Sequence, residues 1–216
     1  LSDEIYNSKD SDKYYDSNKI LRRIERFYDK GINLEYLNEK LLNLFKNIFD
    51  EEFLIFKDKF NAKLPGGDGF YAHYDGIFHF INQNNEKKRG WYEYGNFFIN
   101  ALVAIDKCDK LNGALELAKS HQGSFDELLK NTNKNSTPEL SDQVASKTSF
   151  RLINLDIGDI VVFSNTCPHR SNKNNSKKSR RLLYYTYSLS KNGSKYKKYF
   201  EDKASSKNKL KALLEK

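Results

Sequence analysis

The chain has 216 residues, of which 38% are hydrophobic and 31% are charged, so it can bury a core and has the composition of a globular protein. No apolar run approaches the roughly 18 residues that a membrane-spanning helix needs, and the polar first residues predict no signal peptide. The net charge of +8 comes from lysines that are mixed with acidic residues along the chain, which favours a solvated basic surface over a nucleic-acid or membrane site.

The first predicted elements are two amphipathic helices. An apolar stripe at helical spacing predicts a helix over residues 18–29, capped by Ser17 and ended by Gly31. This stripe consists of Ile20, Leu21, Ile24, Phe27 and Tyr28. A second stripe predicts a helix over residues 34–48. Stripes of this kind are typical of core packing.

Short β-like runs follow after residue 53. The clearest covers residues 97–105, where both alternating faces are apolar and therefore expected to be buried. Further strands are predicted over 114–118, 150–155, 160–163 and 182–189, with a turn at Gly158 and Asp159. The polar run 131–147 indicates a long surface loop. Leu210, Leu213 and Leu214 indicate a last helix in a lysine-rich tail.

Helices followed by many short strands predict a mainly β fold with flanking helices, either an antiparallel sandwich or a barrel. We expect a single domain over residues 1–216. It would consist of a helical N-terminal part at about 17–50, a β core at about 54–190 and a lysine-rich C-terminal segment.

Two of the four histidines belong to a metal-ligand pattern. His73 and Asp75 are two residues apart, and on a strand such residues project from the same face, so both can reach one ion. His169 follows the predicted strand over 160–163. Two imidazoles and one carboxylate form a ligand set for non-haem Fe(II) that leaves positions open for O2 and a co-substrate. A His-x-Asp pair alone is a weak signal, because most such pairs are surface or capping features.

Arg180 adds to this pattern. It lies eleven residues after His169 at the start of a predicted strand, and a turn with a returning strand would bring it back beside His169. A planar guanidinium binds a carboxylate through two parallel hydrogen bonds, so Arg180 can hold the distal carboxylate of 2-oxoglutarate. On spacing alone, a solvated charge on an edge strand explains Arg180 as well.

Three segments, in a fixed order, match motifs that occur together in a known family. KLPGGDGFYAHYD (63–75) has a lysine and a proline leading into His-x-Asp, and AIDKCDKLNGALELAKSH (104–121) has Asp, then Asn-Gly, then Ser-His. TCPHRSNKNNSKKSRRLL (166–183) has His-x-Ser, then Asn and Ser, then Arg eleven residues after the His. Together they resemble the phytanoyl-CoA dioxygenase (PhyH-like) family over most of residues 60–190.

The resemblance implies a double-stranded β-helix core, which is a cupin-like jelly roll, over about 54–190. It implies His73, Asp75 and His169 as the ligands of Fe(II), and Arg180 as the anchor of 2-oxoglutarate, with O2 as the other co-substrate. Lys63 and Asn100 are expected to line the same cofactor pocket.

The resemblance also bears on the reaction and the substrate. Related halogenases have Gly or Ala in place of Asp75, so its presence predicts hydroxylation or desaturation of an unactivated C–H bond. Tyr74 stands where the family often has Gln. The segments at 64–67 and 90–95 are similar to members that act on small zwitterionic or phosphonate compounds, and an acyl-CoA is the alternative. Trp91 either packs in the core or covers the substrate.

Two other functions fit the same residues. A non-catalytic jelly-roll protein would keep the fold and bind a ligand without turnover, although the intact set of His73, Asp75, His169 and Arg180 argues against it. A hydrolytic Zn(II) site could use the same three ligands. Succinate formation and metal analysis distinguish these alternatives.

We predict a small-molecule substrate and no nucleic-acid, membrane or obligate protein partner. Only Cys108 and Cys167 are present, far apart in the sequence. Two cysteines do not form a disulfide framework, so a reducing cytoplasm is the predicted location.

Overall fold

β-Strands dominate the computed structural model, which describes residues 1–9, 11–16, 18–32, 34–82, 84–134 and 136–206. The strands are β1 (Asp12–Tyr15), β2 (Leu21–Glu25), β3 (Phe53–Lys63), β4 (Phe70–His73), β5 (Phe80–Ile81), β6 (Lys87–Lys88), β7 (Phe98–Ala104), β8 (Leu115–Leu117), β9 (Arg151–Leu152), β10 (Ile160–Ser164), β11 (His169–Ser171) and β12 (Arg180–Leu189). The helices are α1 (Ser2–Asn7), α2 (Glu35–Phe49), α3 (Phe125–Leu129), α4 (Asp142–Lys147) and α5 (Tyr196–Ser205).

The larger sheet is antiparallel and has the order β1-β2-β3-β12-β7-β10 in the described part of the chain. β12 lies inside it and pairs with β3 on one side and β7 on the other. Almost every residue of β12 is buried, as its apolar and aromatic sequence requires. α2 covers one face of this sheet, where Phe45 packs edge-on against Tyr187 at 5.0 Å between ring centroids.

The smaller sheet has the order β4-β11-β8-β9 and is also antiparallel. One buried cluster joins the two sheets, since it contains Leu102 and Leu182 from the larger sheet and Leu115 from the smaller one. The two sheets therefore face each other across a shared core, which is the jelly-roll arrangement that was predicted.

The predicted helix over 34–48 is confirmed as α2, whose buried residues are Leu41 and Phe45. The predicted helix over 18–29 is wrong, because this segment contains β2, which pairs with β3. Its apolar spacing suits a helix, but the charged residues between the apolar ones are buried as well. Arg22, for example, is buried and donates to the carbonyl oxygen of Gly69 at 2.8 Å. Tertiary pairing thus decides the structure of this segment.

The predicted strands correspond to observed ones with shifted ends, and that over 150–155 is reduced to β9. The predicted loop 131–147 is wrong at its end, where Ser141 caps α4 by accepting from the amide of Val144. α5 was not predicted. Ser17 and the tail leucines at 210, 213 and 214 lie outside the described residues. No helix within the described ranges is long and apolar enough to cross a membrane.

Candidate metal centre and adjoining cavity

Three side chains with metal-ligating atoms meet at the ends of β4 and β11. His73 ends β4 and His169 begins β11, and the two residues are direct partners in the antiparallel register. Their ring centroids are 4.1 Å apart. Asp75 lies in the bend after β4 and not on the strand, contrary to the geometry that the sequence suggested. It still reaches the histidines, because one ligand atom of each residue lies within 4.8 Å of the others.

Backbone carbonyl groups fix the orientation of both imidazoles. Nδ1 of His73 lies 2.7 Å from the carbonyl oxygen of Tyr71, and Nδ1 of His169 lies 3.0 Å from that of Cys167. A carbonyl oxygen only accepts hydrogen bonds, so Nδ1 carries the proton in each ring and Nε2 keeps its free lone pair. Burial, and then the neighbouring His169, lowers the pKa of His73 to about 3. Burial also lowers the pKa of His169, so both rings are neutral at pH 7, the form that binds metal.

Asp75 is held by two asparagines from the larger sheet and its edge. Asn100 on β7 donates from Nδ2 to Oδ2 of Asp75 at 2.8 Å, and its Oδ1 accepts from the hydroxyl of Thr186 at 2.7 Å. Asn165 accepts from the amide of Asp75 at 3.0 Å and donates to its carbonyl oxygen at 3.2 Å. Burial would raise the pKa of Asp75, but His169 and Lys59 outweigh it and hold this pKa below its usual value. The carboxylate is therefore ionised at neutral pH.

The donor set fits a metal ion. Nε2 of His169 is buried and has no hydrogen-bond partner among the described residues. Its distance of 3.7 Å to Oδ2 of Asp75 is too long for a hydrogen bond. A buried polar atom without a hydrogen-bond partner lowers the stability of the fold, and an ion bound between Nε2 of His169 and Oδ2 of Asp75 would give this nitrogen a partner. Two imidazole nitrogens and one carboxylate on one side are a known ligand set for non-haem iron.

A glycine shapes the bend that carries Asp75. Gly76 has φ +77°, and a Cβ at this position would lie 2.4 Å from Cγ of Trp91. The amide of Trp91 donates to the carbonyl oxygen of Gly76 at 3.1 Å, and its ring packs against Phe56 and Phe98. Trp91 is buried in this packing, which decides between the two predicted roles in favour of the core.

A cavity between the two sheets joins the histidines to Arg180. Its lining includes Lys59, Arg180 and Tyr184 from the larger sheet and His73, His169 and Ser171 from the smaller one. Arg180 and His169 therefore reach one cavity, as predicted, but by a different route. β11 and β12 belong to different sheets, so the two residues face each other across the cavity instead of lying side by side in a hairpin.

Arg180 is buried, and its burial lowers the pKa of the guanidinium. Nε of Arg180 has no hydrogen-bond partner among the described residues. The nearby carboxylate of Asp106 is already held by Arg181, through Nε and Nη2 at 2.8 Å each. The guanidinium at this end of the cavity is thus available for an anionic ligand.

Lys63 and Asn100 are not among the residues that line this cavity, in contrast to the expectation for both. Lys63 donates to the hydroxyl of Ser171 at 2.8 Å and to the carbonyl oxygens of Gly113 and Asn172. It therefore ties β3 to the end of β11. Asn100 contacts Asp75 instead of the cavity, which gives it a part in positioning a ligand.

Sequence reasoning missed Lys59, Asn165 and Thr186. Lys59 lies in a strand with Lys57 and Lys63, and the alternation of lysines carries no signal that tells which of them lines the cavity. Asn165 and Thr186 act through hydrogen bonds that only the fold creates. Tyr74, which replaces the family's glutamine, bonds through its hydroxyl to Nδ1 of His121 at 2.5 Å.

Comparisons with known proteins found a matching family model and similar relatives. The phytanoyl-CoA dioxygenase (PhyH) family model matches residues 6–182. The chain is 30% identical over 199 residues to a 2-aminoethylphosphonate dioxygenase from the uncultured bacterium HF130_AEPn_1, covering 88% of this chain and 70% of that protein. It is 28% identical over 157 residues to a methylphosphonate hydroxylase from Gimesia maris, covering 72% of this chain and 53% of the relative. The chain thus spans between about half and 70% of the length of these two relatives.

Solved structures support the fold. EctD from S. alaskensis in its apoform superposes with a TM-score of 0.65 at 15% identity, covering 88% of this chain and 66% of that chain. The non-heme alpha ketoglutarate dependent epimerase SnoN from nogalamycin biosynthesis superposes with a TM-score of 0.61 at 13% identity, covering 87% of this chain and 69% of the other. At these identities the likeness concerns the fold, and it confirms the predicted jelly roll.

Proposed function

Because this chain belongs to the phytanoyl-CoA dioxygenase family, we propose that it is an Fe(II)- and 2-oxoglutarate-dependent oxygenase that hydroxylates an unactivated C–H bond of a small molecule. One observation carries the proposal. Two imidazoles and a carboxylate have ligand atoms within 4.8 Å of one another, and the two imidazoles share a cavity with a buried guanidinium.

His73, Asp75 and His169 are the proposed ligands of Fe(II). Their protonation states at neutral pH already suit metal binding, and three protein ligands leave other coordination positions open. When bound, the iron supplies the activation of O2, coupled to the oxidative decarboxylation of 2-oxoglutarate to succinate and CO2. Asn100 keeps one carboxylate oxygen of Asp75 occupied and so fixes its direction.

Arg180 is the proposed anchor of 2-oxoglutarate. Its planar guanidinium can form two parallel hydrogen bonds with the distal carboxylate, which leaves the keto-acid end directed at the ligands on the opposite wall of the cavity. Burial strengthens this interaction, because the surroundings have a low dielectric constant and water is excluded. The co-substrate would in turn compensate a cation that has no carboxylate partner among the described residues.

The proposed substrate class is a small phosphonate. Two relatives carry the names 2-aminoethylphosphonate dioxygenase and methylphosphonate hydroxylase, and the cavity walls of this chain carry the cations Lys59 and Arg180. A phosphonate is small and anionic, which suits such walls better than a long acyl chain would. We therefore rank phosphonates before acyl-CoA compounds.

Turnover of labelled 2-oxoglutarate tests the proposal. The purified protein is incubated with Fe(II), ascorbate and O2, and succinate is measured with and without methylphosphonate or 2-aminoethylphosphonate. We expect succinate that depends on Fe(II) and O2, increases with a phosphonate, and is abolished in His169→Ala. Absence of succinate with bound phosphonate would favour the non-catalytic alternative, and activity without O2 would favour the hydrolytic one.

A further inference from the structure

Lys59 is a cation on the cavity wall whose position the proposed chemistry does not explain, whereas Arg170, which also lines the cavity, is paired with Glu116 at 2.7 Å. Lys59 lies on β3, lines the cavity with His73 and His169, and its Nζ stands 4.3 Å from the ring centroid of Tyr184. Within the described ranges its amino group has no hydrogen bond or ion pair, whereas Lys57 and Lys63 on the same strand are both paired. A cation over an aromatic ring is partly stabilised, but it keeps its donors free for a ligand.

The carboxylates near Lys59 are already engaged. Glu25, its direct partner in the strand register, is buried and bound by Arg23, Lys57 and Lys203. Asp75 is the other nearby carboxylate, and it belongs to the metal centre. Burial lowers the pKa of Lys59 to about 8, which still leaves the amine largely protonated at pH 7. This part of the cavity therefore carries an uncompensated positive charge.

2-Oxoglutarate does not account for this charge. It has two carboxylates, of which one is assigned to Arg180 and the other to the metal end. In the strand register Arg180 pairs with Lys63, while Lys59 pairs with Tyr184, four residues further along both strands. At about 3.4 Å per residue, the Lys63–Arg180 pair and the Lys59–Tyr184 pair are roughly 14 Å apart along the strands. Lys59 and Arg180 therefore lie at different parts of the cavity.

We infer that Lys59 binds the anionic group of the substrate and thereby selects phosphonates as the substrate class. This inference rests on the proposed function, since it takes the carboxylates of 2-oxoglutarate as already assigned. Lys59 lines the cavity together with His73 and His169, which places its charge at the end of the cavity that holds the two candidate metal ligands. An anion held there would keep the attached carbon chain near the metal. Lys59 is thus a specificity-determining residue.

Calorimetry with three variants tests the inference. The protein is loaded anaerobically with Fe(II) and 2-oxoglutarate and titrated with methylphosphonate, 2-aminoethylphosphonate and inorganic phosphate. Lys59→Met removes the charge, Lys59→Arg keeps it, and Lys110→Met removes an exposed lysine that does not line the cavity, as the matched control. Affinity for 2-oxoglutarate is measured separately, and so are KM and kcat for the phosphonate.

We expect Lys59→Met to weaken phosphonate binding by about 10- to 100-fold, as loss of a charge-assisted hydrogen bond does, and to raise KM more than it lowers kcat. Lys59→Arg should stay within about tenfold of the wild type, and Lys110→Met should be unchanged. Affinity for 2-oxoglutarate should change by less than about threefold in all three. The ligand-free Lys59→Met protein should melt at a higher temperature, because an unpaired charge has been removed from a buried site.

Two results would overturn the inference. One is equal phosphonate binding by Lys59→Met and the wild type, and the other is a loss of 2-oxoglutarate affinity in place of phosphonate affinity. A different result would contradict the proposed function. A wild-type protein that binds phosphonate through Lys59 but forms no succinate would contradict the oxygenase proposal and leave the role of Lys59 supported.

Discussion

Asn100 offers a direct test of how the metal centre is organised. Its amide nitrogen donates to Oδ2 of Asp75 at 2.8 Å, and its amide oxygen accepts from the hydroxyl of Thr186 at 2.7 Å. Asn100→Leu keeps a similar volume in β7 and removes the donor. Asp75 then loses the contact that orients it, without any change to the three metal-ligating residues themselves.

The expected magnitude follows from these contacts. Loss of a hydrogen-bonded partner behind a metal ligand lowers metal affinity about 10- to 100-fold, which corresponds to about 1.4–2.7 kcal/mol. The free energy of unfolding should fall by about 1–3 kcal/mol as well, because the buried Thr186 hydroxyl and one oxygen of the partly buried Asp75 carboxylate lose their partner.

Anaerobic titration with Fe(II), followed by calorimetry, measures the affinity, and urea unfolding of the metal-free protein measures the stability. Thr186→Val is the matched control. It removes a hydroxyl of the same network but leaves the bond from Asn100 to Asp75, so metal affinity should change by less than about threefold. The reasoning is refuted if Asn100→Leu binds Fe(II) like the wild type, or if Thr186→Val weakens binding equally.

Three further predictions concern the charges of the site and its surroundings. Arg180→Leu should weaken 2-oxoglutarate binding by about 100-fold or more in calorimetry and raise the melting temperature of the ligand-free protein, since a buried uncompensated charge is removed; unchanged affinity would contradict the assigned role. Because burial holds the pKa of His73 at about 3 and lowers that of His169, Fe(II) affinity should change less than about threefold between pH 8 and 6, whereas two ordinary imidazoles would lose about 16-fold; a steep decline would show that the rings are solvated. Glu25→Gln should lower the free energy of unfolding in urea at pH 7 by about 3–5 kcal/mol, because three cations lose their carboxylate. These cations hold the pKa of Glu25 well below its usual value of 4.5 despite burial, so the stability difference between variant and wild type should shrink as the pH falls below that value. A stability difference that does not depend on pH would argue against the ion pairs.

The sequence allowed prediction wherever local chemistry decides the structure. The apolar stripe at helical spacing predicted α2. The two apolar faces of the segment 97–105 predicted β7, because only a strand that is buried on both sides has such faces. The convergence of His73, Asp75 and His169 was predicted from ligand types and spacing together with the family resemblance, and the structure brings them together. Their roles as iron ligands remain predictions until metal is measured.

The errors have a common physical cause, which is that charged residues are buried through long-range partners. The segment around β2 has helical spacing, but Arg22 is buried and binds Gly69, and Glu25 is buried and binds residues of β3 and α5. No local pattern encodes such partners. The same holds for Lys59 and Lys63, which differ in role only because one amine meets oxygen acceptors and the other meets a cavity.

The register of β4 against β11 has a consequence for folding. His73 and His169 are direct partners, and these strands are only four and three residues long. A slip of one residue would turn one imidazole to the opposite side of the sheet, since side chains alternate along a strand. An ion that binds both rings stabilises only the native alignment and none of the shifted ones. Iron uptake during folding would thus select the correct pairing of two segments that are too short to specify it by themselves.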